Sequence, residues 1–97
     1  MFHHRFTRKE GHRVLAACDE ELLGEVLEDR KLTFEVKERF YGGEKIDKEG
    51  LLEKANESTI INAVGNKTVS FFVKKNFFDE DQVLEIDGVK HAQMVRI

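Results

Sequence analysis

A chain of 97 residues is enough for one domain and too short for two, since domains cluster at about 100–150 residues. With 40% hydrophobic and 36% charged residues it is neither disordered, which requires few apolar side chains, nor membrane-embedded, which requires about 20 apolar residues in a row. The net charge of −3 excludes a domain that grips nucleic acid through a general basic excess, while leaving room for a local basic patch.

The N-terminus carries His3, His4 and Arg5 where a secretory signal would carry its apolar core. The single cysteine, Cys18, has no partner for a disulfide or a CxxC metal motif. Both features predict a cytoplasmic protein in a reducing compartment.

Phe2, His4 and Phe6 alternate with His3, Arg5 and Thr7, which predicts a half-buried strand. Arg8-Lys9-Glu10-Gly11 then supplies a turn, and Arg13 to Ala17 returns as a second strand. Asp19 is placed to cap a helix with Glu20 and Glu21 in its first turn and Leu22, Leu23, Val26 and Leu27 as its apolar stripe. Leu32, Phe34 and Val36 predict a third strand ending at Phe40-Tyr41-Gly42-Gly43-Glu44, whose paired glycines imply a chain reversal or a positive φ.

Asp47 caps a predicted short helix carrying Leu51, Leu52 and Ala55. A further helix is predicted from Asn56 or Ser58 through Ile60, Ile61 and Val64 to Gly65, and another through Val69, Phe72 and Val73, with Asn76 as its left-handed end. Helix, Gly65-Asn66, helix is similar to the paired helices that hold a nucleic-acid backbone through a glycine turn, with Lys67, Lys74 and Lys75 as phosphate candidates, although the second glycine is missing. Asp87-Gly88 between Val83–Ile86 and Val89–Ile97 predicts a type I′ hairpin in which Ile86 faces Val89, Glu85 faces Lys90, Leu84 faces His91 and Val83 faces Ala92. The whole predicts a single α+β domain over residues 1–97. It would hold a mixed or antiparallel sheet of about five strands, three to four short helices and a C-terminal β-hairpin.

Residues 1–18 carry Arg5, Arg8, Lys9 and Arg13 against Glu10, whereas residues 19–29 carry six acids and no cation. Aromatic rings stack on unpaired bases and arginines hold phosphates. Arg5, Arg8 and Arg13 with Phe40, Tyr41, Gly42 and Gly43 are therefore the candidate partner-binding residues, expected on one surface.

A thiol at the start of the helix after Cys18 would have a lowered pKa, with His12 and His91 as the available bases. The four histidines match no metal-ligand spacing, and His3 and His4 point to opposite faces of a strand, so neither a metal nor a cofactor is expected.

The ordered blocks Val14-Leu15-Ala16-Ala17-Cys18-Asp19-Glu20-Glu21-Leu22-Leu23-Gly24, Phe40-Tyr41-Gly42-Gly43, Ile61-Asn62-Ala63-Val64-Gly65 and Gly88-Val89-Lys90-His91-Ala92-Gln93 cover nearly the whole chain. In them it resembles the small archaeal family described as domain of unknown function four hundred and twenty-four. The resemblance implies a stand-alone archaeal cytosolic protein and supplies no catalytic residues. The polar residues gathered in these blocks, Cys18, Asp19, Glu20, Asn62 and His91, are the further functional candidates.

A non-catalytic binding module for RNA, or for a ribonucleoprotein or protein partner, is the expected function. The alternative is a small enzyme using Cys18 or His91 with Asp19 or Glu20.

Overall fold

Glu10 and Gly11 have positive φ angles of 51° and 82°, the geometry that matches the twist of a two-residue hairpin. They join β1 (Phe2–Lys9) to β2 (His12–Asp19), with Phe6 opposite Leu15 and Arg8 opposite Arg13. The computed structural model describes residues 1–96.

After β2 the predicted helix does not form. A single 3-10 turn, Glu20–Leu22, leads to β3 (Val26–Asp29), which pairs antiparallel with β4 (Leu32–Glu35) as a separate two-stranded ribbon. Gly24, at φ 87°, turns the chain out of the helical path. The apolar spacing that suggested a helical stripe belongs instead to a turn and a strand: Leu22, Leu23, Leu27 and Phe34 pack inward, while Val26 is exposed.

One helical turn, α1 (Glu38–Tyr41), follows, then β5 (Glu44–Ile46) on the outer side of β1. Neither Gly42 nor Gly43 has a positive φ. Both are needed for close approach: a Cβ on Gly43 would stand 2.8 Å from the carbonyl oxygen of His4, and one on Gly42 2.7 Å from that of Glu38. The glycine pair thus lays the end of α1 directly against β1.

The next helix, α2 (Lys48–Glu57), starts as predicted, with the Asp47 carboxylate accepting from the Gly50 N–H at 2.9 Å. The helix predicted over Ile60–Val64 is a strand, β6 (Ile60–Val64). It lies at the middle of the sheet, parallel to β2 and antiparallel to the last long strand. Its short apolar run also satisfies helix spacing, so periodicity alone does not separate the two; its β-branched isoleucines and valine suit the strand. The similarity to a pair of backbone-gripping helices ends with it.

Gly65 leads into α3 (Asn66–Lys74), and Asn76 takes the left-handed position with φ 65°. The chain closes with β7 (Leu84–Ile86) and β8 (Val89–Val95) around Asp87-Gly88, both at positive φ. Ile86–Val89, Glu85–Lys90 and Leu84–His91 pair in the predicted register; Val83 falls outside the ladder, and Ile97 lies outside the described residues.

The result is an α+β domain with a mixed sheet of order β5-β1-β2-β6-β8-β7, one strand more than predicted: β5 and β6 join it, and the strand predicted over Leu32–Val36 lies in the separate ribbon. One face is covered by α2 and α3, which bury Leu15, Ile61 and Ala63 beneath Leu51, Val69 and Phe72. The other face is covered only at one end, where α1 and the β3–β4 ribbon bring Tyr41, Leu27 and Val36 onto Cys18, Val64 and Ile86. Among the described residues no helix is long and apolar enough to cross a membrane.

Candidate functional site

Strand register fixes which side chains share the partly covered face. His3, Cys18, Val64 and His91 form one row across β1, β2, β6 and β8, beside α1 and the ribbon. Arg5, Ala16, Asn62 and Gln93 form the next row, and Thr7, Val14, Ile60 and Val95 the one after it. Lys9 and His12 end the face on β1 and β2. Among the described residues, none of the side chains these four strands direct to this face is a carboxylate, although the chain has 19.

Asparagine is a poor strand former. At Asn62 it occupies the middle of a central strand, half-buried and turned toward the open side. Asn66 spends its carboxamide on the Lys90 N–H (2.9 Å) and the Gly88 carbonyl (3.4 Å). The carboxamides of Asn62 and Gln93 make no hydrogen bond to protein among the described residues.

Where the open face meets the ribbon there is a cleft of about 870 Å³, lined by Thr33, Phe34 and Glu35, by Lys37, Arg39, Phe40 and Tyr41, and by Asn62, His91 and Gln93. A chain of rings builds its wall. The His91 imidazole lies 5.0 Å from the Phe34 ring, Phe34 meets Tyr41 edge-on at 6.4 Å, and Tyr41 meets Phe40 edge-on at 4.8 Å. Tyr41 is 3% exposed and Phe40 42%, so Tyr41 closes the core while Phe40 presents a ring to solvent. Burial raises the Tyr41 hydroxyl pKa above its ordinary value. It lowers that of His91 from 6.5, which keeps the ring neutral at neutral pH with one nitrogen to donate and one to accept. On the other side of Arg39 a shallower depression of about 490 Å³ reaches His3 and Arg5.

The candidate residues divide accordingly. Arg5, Phe40, Tyr41, Asn62 and His91 lie at or beside the cleft, with Gly42 and Gly43 holding α1 onto β1 next to Arg5. Arg8 and Arg13 do not join them. Their register places them opposite each other on the helix-covered face, where the Arg13 Nε–H donates to the Glu57 carbonyl. The single basic surface expected from the N-terminal segment is therefore split by strand alternation, with Arg5 the one of its three arginines on the cleft side.

Asp19 is 4% exposed and faces α3 rather than the turn that follows it. Its carboxylate accepts from the Thr68 N–H (2.8 Å), the Thr68 hydroxyl (2.7 Å) and the Lys67 N–H (3.2 Å), capping α3 from a distant strand. Glu20 is exposed and paired with Lys45 at 2.9 Å, which holds its carboxyl below the usual range. Both acids are thus spoken for outside the cleft.

Cys18 corrects a further expectation. No helix begins behind it, and burial, reinforced by the Asp19 and Glu21 charges, pushes its thiol up to about 12. Val64 stands between it and His91, and His12 lies at the far end of β2 with Nδ1 3.2 Å from the Thr59 hydroxyl. A soluble aromatic disulfide should therefore label no thiol in the native protein and one per chain in denaturant. Stoichiometric labelling before unfolding would contradict this placement.

His3 and His4 lie on opposite faces as expected, His4 Nδ1 being 2.9 Å from the Glu44 carbonyl oxygen. Among the described residues no three His, Cys, Asp or Glu side chains are grouped to hold a metal ion. Phe34, Lys37, Arg39 and Gln93 line the cleft without being marked as candidates by sequence spacing. Gln93 could have been found, since it lies two residues beyond His91 on the same strand face; Phe34 could not, because its place depends on where the ribbon folds.

Comparison with known proteins adds kinship and no activity. No curated protein matches the chain. A crystal structure described as that of an uncharacterized conserved protein from Methanopyrus kandleri is similar over 99% of this chain and 93% of its own, at 29% identity and a TM-score of 0.83. Residues 7–97 match the family described as Protein of unknown function (DUF424). With all but the first six residues inside that match, the chain belongs to the DUF424 family.

Proposed function

We propose that this domain is a non-catalytic, cytoplasmic binding module for single-stranded RNA, which it takes across the open sheet face and into the aromatic cleft. The observation that supports this most is the lack, among the described residues, of any carboxylate that β1, β2, β6 and β8 direct to that face, in a chain of net charge −3. Phosphates can approach those strand side chains without like-charge repulsion from them.

Arg5 and Arg39, with Lys9 at the end of the same sheet face, supply cations for phosphates, Phe40 offers a ring for stacking, and the Asn62 and Gln93 carboxamides can address base edges. The enzyme alternative has less to stand on, because Cys18 is buried without a base and Asp19 and Glu20 are engaged elsewhere.

Titration of a labelled unstructured RNA at several salt concentrations tests the proposal. Phe40→Ala should weaken binding about tenfold through lost stacking. Arg5→Ala should weaken it and reduce the salt slope by about 0.7. Arg8→Ala, on the other face, should change neither. Absence of RNA binding by the wild-type domain at low salt would refute the proposal.

A further inference from the structure

We infer that the depression between β1 and α1 is a phosphate subsite joined to the aromatic cleft, an inference that deepens the RNA-binding reading above and rests on it. His3 and Arg5 reach it from β1 and Arg39 from α1, around a space of about 490 Å³. Arg39 also lines the cleft and so borders both spaces.

Two guanidiniums meet here because the glycine pair holds their elements in contact. Strand alternation places His3 and Arg5 on one face, about 7 Å apart along β1. Gly42 and Gly43 line the same depression, and a Cβ on Gly43 would stand 2.8 Å from the His4 carbonyl oxygen and 3.7 Å from the Arg5 Cα. A side chain at Gly43 would thus meet the β1 backbone. Glycine is what allows α1 to bring Arg39 to the depression that Arg5 lines.

Like charges on one rim repel unless an anion lies between them. An ion pair with protein would relieve this, and among the described residues neither guanidinium has one. Glu38 also lines the depression, yet its carboxylate is paired with neither arginine, and a single carboxylate leaves the two cations in excess. Arg13 shows the contrast, its guanidinium being spent on the Glu57 carbonyl.

Arginine presents N–H donors in a planar fork that fits two phosphate oxygens at once, and the half-buried His3 ring adds a further donor. On the other side of Arg39 the cleft offers the Phe40 ring and the two carboxamides. A ligand with a flat polar base on one side of Arg39 and an anion on the other is a nucleotide unit.

The arginine Nε–H signals of the isotope-labelled full chain report the subsite directly. Uridine and UMP are titrated separately at low, constant ionic strength, followed by a short oligomer of U with and without a terminal phosphate. UMP should bind about tenfold more tightly than uridine and shift the Arg5 and Arg39 signals but not that of Arg8. Arg5→Ala and Arg39→Ala, both at exposed positions, should each cut the advantage of UMP to within about threefold, and Arg8→Ala should keep it.

The oligomer identifies the source of the phosphate. Tighter binding with the terminal phosphate assigns the subsite to a strand end, whereas equal affinity with the same Arg5 and Arg39 shifts assigns it to a bridging phosphate. Equal affinity for UMP and uridine, or shifts shared evenly by Arg5, Arg8 and Arg39, would overturn the subsite, and oligomer binding would then still carry the RNA reading. UMP binding at Arg5 and Arg39 without binding of either oligomer would overturn the RNA reading and leave the subsite standing. No binding of any kind would overturn both.

Discussion

Adding a single methyl group at Gly65 should destabilise the domain by about 3–5 kcal/mol, the sum of a strained backbone and an overpacked site. Gly65 has a φ of 113°, outside the range that side-chain-bearing residues accept, and a Cβ there would stand 2.3 Å from the Asp19 carboxyl carbon and oxygen. The carboxylate has nowhere to move, because it is held by Lys67 and Thr68 at the start of α3. Urea unfolding of Gly65→Ala should show a much lower midpoint at an unchanged slope. In an Asp19→Ala background the same methyl should cost less, since only the backbone strain remains, and this non-additivity identifies the clash. A Gly65→Ala midpoint near wild type would contradict the close packing of β6 against Asp19.

Asp19→Ala should itself cost about 2–4 kcal/mol, combining the loss of a helix cap with the exposure of unpaired donors in a buried site. Thr68 is fully buried, so neither its N–H nor its hydroxyl has water to fall back on. Asp19→Asn keeps one accepting oxygen and should cost less than the alanine change. Amide exchange supplies a local readout: the Thr68 N–H should lose protection in Asp19→Ala even under conditions where β1 and β2 remain protected. Unchanged Thr68 protection would show that the cap contributes little.

The two hairpins at the chain ends were legible because each rests on a short-range signal. Alternation sets β1 and β2, and Asp87-Gly88 sets β7 and β8 so closely that three of the cross-strand pairs can be written from the sequence. Asp47 and Asn76 likewise mark the ends of α2 and α3 through backbone chemistry local to each.

The middle of the chain misled for a physical reason common to its two errors. Leu22-Leu23 with Val26-Leu27, and Ile60-Ile61 with Val64, satisfy helical spacing over too few residues to exclude a turn or a buried strand. What decides both cases is tertiary: the ribbon folds onto the sheet, and β6 gains two strand neighbours.

Asp19 shows the same limit. Its type and position announce a cap, but the helix it caps starts 47 residues later, beside it only because β2 and β6 are parallel neighbours. The candidate site was half visible. Phe40, Asn62 and His91, each a candidate by residue type and position, converge at the cleft. The separation of Arg5 from Arg8 was also written in the parity of their positions, which the basic character of the segment concealed.

The most direct measurement of the central claim is a backbone amide NMR titration of the isotope-labelled domain with unstructured RNA at low salt. The open-face account predicts shift changes at Arg5, Phe40, Asn62, His91 and Gln93, with α2 and α3 unmoved. Shift changes concentrated on α2, α3, Arg8 and Arg13, or none at any residue, would contradict it.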